Sequence, residues 1–433
     1  MQVSLALLTR RRFLPLFATQ FLNAFNDNLF KTAIIMLVTF RIFSDPGKEA
    51  AFSAVAGGLF ILPFFLLSAP AGQLADSRYK AAIVRAVKAA EIGIMAVGAV
   101  GLLLYNIPLM LAALLAMGVH STIFGPIKYA ILPQHLPPHE VLGGTGLVEA
   151  GTYGAILLGT IIGGVISPEA AAGVVLATAV VGYLAGRQVP PAPPEAGAKN
   201  LRVDWNVLRS SFRLVGATMR IPKLFLAIAA ISFFWSQGII LAAQFPPLVK
   251  NTLGADQSVA TLFLAIFSVG VAIGSVIINR LLQGEVSARY SPVAALVMGA
   301  FVVDLYFSVR DWPAPPGGTL RSLQEFMDAP GGWRVMLDLF GTAAAGGVFV
   351  VPLYAFLTTV VPIAETARTV AANNIVNAGA MVASSALLAL LVLLDFTVAE
   401  TLLVVAAGTV GAAWIAWRLH LACAVALALP DSR

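Results

Sequence analysis

The sequence predicts an all-α membrane protein: twelve transmembrane helices in two pseudo-symmetric six-helix bundles, with both termini cytoplasmic. Three observations lead there. Of 433 residues, 59% are hydrophobic and only 11% charged, with a mean hydropathy of +0.89. Soluble domains carry about 25% charged residues, so lipid must solvate most of this surface. The apolar residues gather into runs that match the roughly 20 residues needed to cross a bilayer. Finally, the basic residues segregate to alternate connections between those runs.

In the first half the runs are 13–40, 52–75, 82–105, 108–131, 142–166 and 170–186. In the second they are 224–249, 258–283, 291–309, 335–360, 368–394 and 398–417. The opening "MQVSLALLTRRRFLPLF" has basic residues but no small-residue cleavage site after a short apolar core, which predicts a retained first helix rather than a leader. Between the halves, 187–223 is Pro-rich and then basic, the composition of a cytoplasmic linker with an amphipathic piece at the membrane surface. The expected organisation is therefore 1–186, 187–223 and 224–433.

With the N-terminus inside, 20 of the 27 Lys and Arg residues fall on cytoplasmic segments, among them Arg10 to Arg12, Arg78, Lys80, Arg85, Lys88, Lys128 and Arg280. Six fall outside, and only Lys31 is left inside a span. The net charge of +6 thus suits an anionic membrane surface and not a nucleic acid. The single cysteine, Cys423, excludes an internal disulfide and a cysteine metal cluster.

Short internal matches occur in chain order. "AGQLADSR" (71–78) pairs with "IGSVIINR" (273–280), "GPIKYAIL" (125–132) with "VPLYAFL" (351–357), and "LVEAG" (147–151) with "IVNAG" (375–379). Their order indicates a duplicated bundle, an architecture that encloses a central path and opens it alternately to each side.

The polar residues within the spans mark that path. Gln20, Asn23, Asp27 and Lys31 recur three to four residues apart, forming one stripe on the first helix. A charge at such depth costs at least about 2.5–3.5 kcal/mol, and Asp27 and Lys31 can pair at i, i+4. In span five Glu149 can face Lys128 at the inner end of span four. Gln237 and Gln244 share a face of span seven, and Asn373, Asn374 and Asn377 lie in span eleven. Glu91 is expected to pair locally with Lys88, His120 to be a lone hydrogen-bonded histidine, and Asp304 and Asp338 to be solvated at span ends. "GQLADSRYK" (72–80) suits a gate: Gly72 for close helix approach, Asp76 as a helix cap, and Arg78 and Lys80 as partners, with Arg280 at the matching place in the second half.

No Walker A loop, HExxH, nucleophile elbow or acyltransferase pattern of His and Asp four residues apart is present. "HLPPHE" (135–140) places His135 and His139 in a short Pro-rich turn without further donors. No catalysis, cofactor or metal is expected.

"GQLADSRYK" resembles the signature of the major facilitator superfamily, with Ser77 in place of the usual Arg and Tyr79 in place of the usual Gly. "QFLNAFNDNLFK", "FGPIKYAILPQHL", "LVEAGTYGAILLGTIIGG", "FSVGVAIGS" and "TVAANNIVNA" resemble the bacterial lysophospholipid transporters, alone or fused to a 2-acylglycerophosphoethanolamine acyltransferase and acyl carrier protein synthetase. The resemblance implies the major facilitator fold in the bacterial inner membrane. It also implies a monomeric flippase that moves lysophosphatidylethanolamine from the outer to the inner leaflet for re-acylation. Asp27, Lys128 and Glu149 match the family's acid, lysine and acid in spans one, four and five. Span seven, "FFWSQGIILAAQFPP", lacks the arginine of stand-alone members, so Lys31 is the expected counter-charge of Asp27. Two other readings use the same residues: a proton-coupled exporter of small amphiphiles, and a non-transporting scaffold for an acyltransferase.

Overall fold

A computed structural model describes residues 6–42, 46–199, 201–313 and 319–428. Twelve long helices carry the architecture among them. In the first half these are α1 (Leu14–Leu37), α2 (Pro46–Ser77), α3 (Lys80–Leu103), α4 (Ile107–Ala130), α5 (Pro138–Val165) and α6 (Pro168–Arg187). In the second they are α7 (Pro222–Pro247), α8 (Gln257–Leu281), α9 (Ser291–Val309), α10 (Gly332–Thr359), α11 (Thr366–Leu393) and α12 (Val398–Ala428). Eleven of the helices are long and apolar enough to cross a membrane. The remaining one is α1, whose 24 residues include the polar stripe. The ends agree with the sequence-derived runs to within a few residues for most spans, and α12 continues well past the run 398–417.

Local chemistry sets the helix starts. Asn106 accepts from Leu109 N at 3.0 Å to cap α4, Ser167 accepts from Ala170 N at 3.2 Å to cap α6, and Asp256 accepts from Ser258 N at 2.9 Å to cap α8. Proline occupies the first turn of α5, α6 and α7, where its missing N–H leaves no bond unmade.

The helices group into two compact units. Unit 1 comprises residues 1–218 with 357–378, and unit 2 comprises 219–356 with 379–433. The grouping differs from the division at 187–223 expected from chain order. Most of that connection packs with the first six helices, and so does the first half of α11. The connection contains the linker helix (Val207–Met219), which buries Ser210 against Gln73 of α2 and exposes Leu208, Phe212, Arg209 and Arg213.

In unit 1, α1 lies against α5 because glycines on α5 remove side chains at the crossing. A Cβ on Gly159 would come 3.0 Å from Leu29 N, and one on Gly163 would come 3.1 Å from Leu29 Cα. Glycine likewise brings α2 against α4, where Gly118 faces the Phe60 carbonyl. Leu29, Phe30 and Ile34 of α1, Met95 of α3, Met110 of α4 and Val175 of α6 pack together in one core. In unit 2, α8 lies against α10 through Gly270, whose Cβ would sit 2.7 Å from Ala343 Cβ. Its core joins Phe245, Phe263, Phe326, Leu339 and Leu402. The neighbours repeat: α1–α6, α2–α4 and α3–α6 in unit 1 correspond to α7–α12, α8–α10 and α9–α12 in unit 2. This is the packing expected of a duplicated bundle.

Candidate functional site

The stripe on α1 is buried: Gln20, Asn23 and Asp27 are all nearly inaccessible. Asp27 Oδ2 accepts from Ser121 Oγ of α4 at 2.6 Å and from Asn23 Nδ2 at 3.1 Å. Gln20 Oε1 accepts from Thr152 of α5 at 3.0 Å. On the same stripe Gln20 Nε2, Asn23 Oδ1 and Asp27 Oδ1 are buried without a partner in the protein. Buried polar atoms are paired in the great majority of cases, and these three exceptions share one helix face.

The expected Asp27–Lys31 pair is not formed. Lys31 Nζ lies 5.6 Å from the centre of the Phe60 ring of α2, and the neutral donors Ser121 and Asn23 hold Asp27 instead. Nor does Lys128 form a contact ion pair with Glu149. Its Nζ lies 4.9 Å over the Tyr129 ring, and the Tyr129 hydroxyl donates to Glu149 Oε1. The result is two buried acids held by neutral donors and two lysines seated on aromatic rings, all in unit 1. On α11 Asn373 is fully buried with neither amide atom partnered, and Asn374 Nδ2 would lie 3.5 Å from a Cβ on Gly125. Asn377 is buried as well.

The "GQLADSRYK" segment meets α11 directly. A Cβ on Gly72 would sit 2.6 Å from Ala371 Cβ and 2.9 Å from the Ala367 carbonyl, so only glycine fits. Asp76 is inaccessible and caps α11. Its Oδ1 accepts from Ala367 N at 3.0 Å, and its Oδ2 accepts from Arg368 N and Nε, both at 3.0 Å. A carboxylate at a helix N-terminus also opposes the positive end of the helix dipole. Arg78 is exposed. Lys80 is buried, and its backbone N–H donates to Ala192 O at 3.0 Å.

Two polar clusters of unit 1 depart from expectation. Lys88 lies inside α3 and not on a cytoplasmic connection, for it is wholly buried and ion-paired with Glu91. His120 of α4 is no lone histidine: its Nε2 lies 3.3 Å from the same carboxylate, whose other oxygen accepts from Asn26 Nδ2 at 2.8 Å. The pattern i, i+3 revealed the Lys88–Glu91 pair, but Asn26 falls off the α1 stripe and its contact needed the fold. Glu140, a residue given no role on sequence, is buried at the start of α5 and takes Arg10 at 2.6 Å and Arg12 at 2.5 Å.

In unit 2, Gln244 Nε2 donates to Thr401 at 2.9 Å, whereas Gln237 is buried with both amide atoms unpartnered. Trp235 Nε1 donates to the Tyr354 hydroxyl at 2.7 Å. Asp304 pairs with Arg334 near a span end. Asp338 departs from expectation, because it is buried and accepts from Ser308 at 3.1 Å instead of being solvated. Arg280 is exposed in the last turn of α8.

Twelve long helices among the described residues, with repeated packing, apolar surfaces and a polar stripe on α1, fit a membrane transporter. The description "Major Facilitator Superfamily" fits residues 16–384, and the chain belongs to that superfamily. The relatives named "Lysophospholipid transporter LplT" include one from Serratia proteamaculans, 27% identical over 67% of this chain and 71% of its own. Another, from Citrobacter koseri, is 26% identical over 90% of this chain and 89% of its own. Solved structures share the fold at low identity. The human organic anion transporter MFSD10 has a TM-score of 0.72 at 13% identity, over 95% of this chain and 98% of its own. The transporter FucP in the outward conformation has 0.71 at 12%, over 95% and 99%.

Proposed function

We propose that this protein is a lysophospholipid flippase of the bacterial inner membrane. It moves lysophosphatidylethanolamine and related lysolipids from the outer to the inner leaflet for re-acylation, by alternating access with lateral openings for the acyl chain. The proposal places both termini in the cytoplasm, where an acyltransferase with its acyl carrier protein synthetase would consume the product. It assigns the substrate path to Gln20, Asn23, Asp27, Lys31, Glu149, Gln237, Gln244, Asn373, Asn374 and Asn377. The gate comprises Gly72, Asp76, Arg78, Lys80, Lys128 and Arg280.

The observation that carries the reading is the separation of charges in unit 1. Asp27 and Glu149 hold neutral partners, and Lys31 and Lys128 rest on rings. A zwitterionic head group has an ammonium for such an acid and a phosphate for such a lysine. A pre-formed acid–lysine ion pair would have to break before either could engage, so keeping the charges apart lowers the barrier to binding. The relatives named as lysophospholipid transporters support the same substrate class.

Proteoliposomes given labelled lysophosphatidylethanolamine in the outer leaflet test this. Inward transfer should exceed that of empty vesicles, and Asp27→Ala should reduce it at least about ten-fold, the equivalent of roughly 1.4 kcal/mol. Transfer equal to that of empty vesicles sinks the proposal, and substrate-dependent proton movement would favour the exporter reading instead.

A further inference from the structure

Four arginines converge at one end of unit 1. Arg11 and Arg12 precede α1, Arg85 lies in the second turn of α3, and Arg187 is the last residue of α6. They surround a pocket of about 490 Å³ whose remaining wall is the segment Gln188 to Pro191. The volume falls in the roughly 300–1,000 Å³ range of small-molecule sites. The wall is tied down, with Val189 N donating to Gly186 O at 3.3 Å, Lys80 N to Ala192 O at 3.0 Å, and His135 Nε2 lying 3.3 Å from Pro191 O.

The charges in this pocket are not balanced within the protein. Arg12 shares Glu140 with Arg10, which uses both oxygens of that buried carboxylate. Arg11, Arg85 and Arg187 are exposed, and no carboxylate lies within 4 Å of them among the described residues. Arg187 instead lies over the Tyr183 ring, 5.9 Å from its centre. Guanidinium groups gathered without counter-charge repel one another, and their planar forks match phosphate oxygens two at a time.

We infer that this pocket binds the head group of an anionic phospholipid resident in the membrane. Its position favours a lipid over a soluble anion. Arg187 ends one candidate span, and Arg85 lies near the start of another, which puts the pocket at head-group depth. Its charge favours an anionic lipid over a zwitterionic one, because Glu140, the only acid paired to these arginines among the described residues, already holds Arg10 and Arg12. The inference depends on the membrane-spanning fold and not on which substrate is transported.

The test is native mass spectrometry of the full chain, released from nanodiscs holding equal phosphatidylglycerol and phosphatidylethanolamine. Wild type should retain phosphatidylglycerol preferentially. Each arginine near a membrane surface contributes roughly five-fold to binding an anionic lipid, so R11Q/R85Q/R187Q should lower retention on the order of 100-fold. Should the triple variant fail to fold, R85Q alone should show roughly a five-fold loss. Retention unchanged in a folded variant overturns the inference. So does displacement of the lipid by millimolar inorganic phosphate or glycerol phosphate, since a soluble anion would then be the ligand. Transport of lysolipid is a separate measurement, and its failure leaves this outcome readable.

Discussion

Glu91→Ala isolates the energetics of the buried charge cluster. Lys88 and Glu91 are both wholly inaccessible, and His120 and Asn26 both lie against the same carboxylate. Removing Glu91 leaves the Lys88 ammonium buried without a counter-charge, which costs about 3–5 kcal/mol. At roughly 2–4 °C per kcal/mol for a unit of this size, the unfolding temperature in detergent should fall roughly 6–20 °C. Lys88→Met with Glu91→Leu removes both charges while keeping the volume, and such replacements are often neutral. The double variant should therefore recover more than half of the loss. A thermal unfolding series followed by tryptophan fluorescence measures both. If Glu91→Ala unfolds within 2 °C of wild type, or the double variant is no more stable than the single one, the cluster does not stabilise the bundle.

Three further expectations follow from close contacts in unit 1. Gly72→Val drives a side chain into Ala371 and the Ala367 carbonyl, so lysolipid transfer in proteoliposomes should fall more than about ten-fold while the protein still purifies folded; unaffected transfer would remove Gly72 from the proposed gate. Asp76→Ala strips the cap of α11 and the partner of Arg368, a loss of about 0.5–2 kcal/mol for the cap alone. Thiol labelling of a cysteine placed at Ala371 should become faster in that variant, and an unchanged rate would contradict a hold of Asp76 on α11. Gly163→Leu overpacks the α1–α5 crossing at the Leu29 backbone, which should lower stability by about 1–3 kcal/mol in the same thermal assay, whereas the open position Gly93 should tolerate leucine.

The fold was largely legible because lipid imposes a simple rule: backbone polar groups must be satisfied within helices, so apolar length reads directly as a span. The first helix shows where the rule thins. Its polar stripe leaves α1 outside the apolar criterion that the other eleven helices satisfy, yet the i, i+3, i+4 spacing of Gln20, Asn23 and Asp27 still reads as one buried face. The partners of the charged residues were less legible. Sequence spacing offers Asp27 a lysine one turn away, but it carries no information about Ser121 on α4, which lies 94 positions along the chain and wins the contact at 2.6 Å. Glu140 is a similar case. Its pairing with Arg10 and Arg12 spans about 130 residues of chain, beyond any local pattern. The grouping of α11 with the first half was hidden for the same reason, since Asp76 and Gly72 act across nearly 300 positions.

The buried charges of unit 1 divide into two kinds, and the division argues for where work is done. Around Glu91, Lys88 pairs with the acid directly, and His120 and Asn26 lie against the same carboxylate. Asp27 and Glu149 differ: a serine, an asparagine and a tyrosine solvate them, while the lysines that could neutralise them lie on aromatic faces. A carboxylate held this way has no counter-charge, and hydrogen bonds from neutral groups offset only part of its desolvation. The Glu91 cluster shows that this chain can close an acid–lysine pair within the same unit, whereas Asp27 and Glu149 are held by neutral donors. On the proposed function, the unmet oxygen of Asp27 is the atom that a head-group ammonium would meet. Asp27→Asn, which preserves the shape and removes the charge, should leave the unfolding temperature unchanged or raise it while transfer falls. A variant that lost both stability and transfer would place Asp27 with Glu91, among the charges that hold the bundle together.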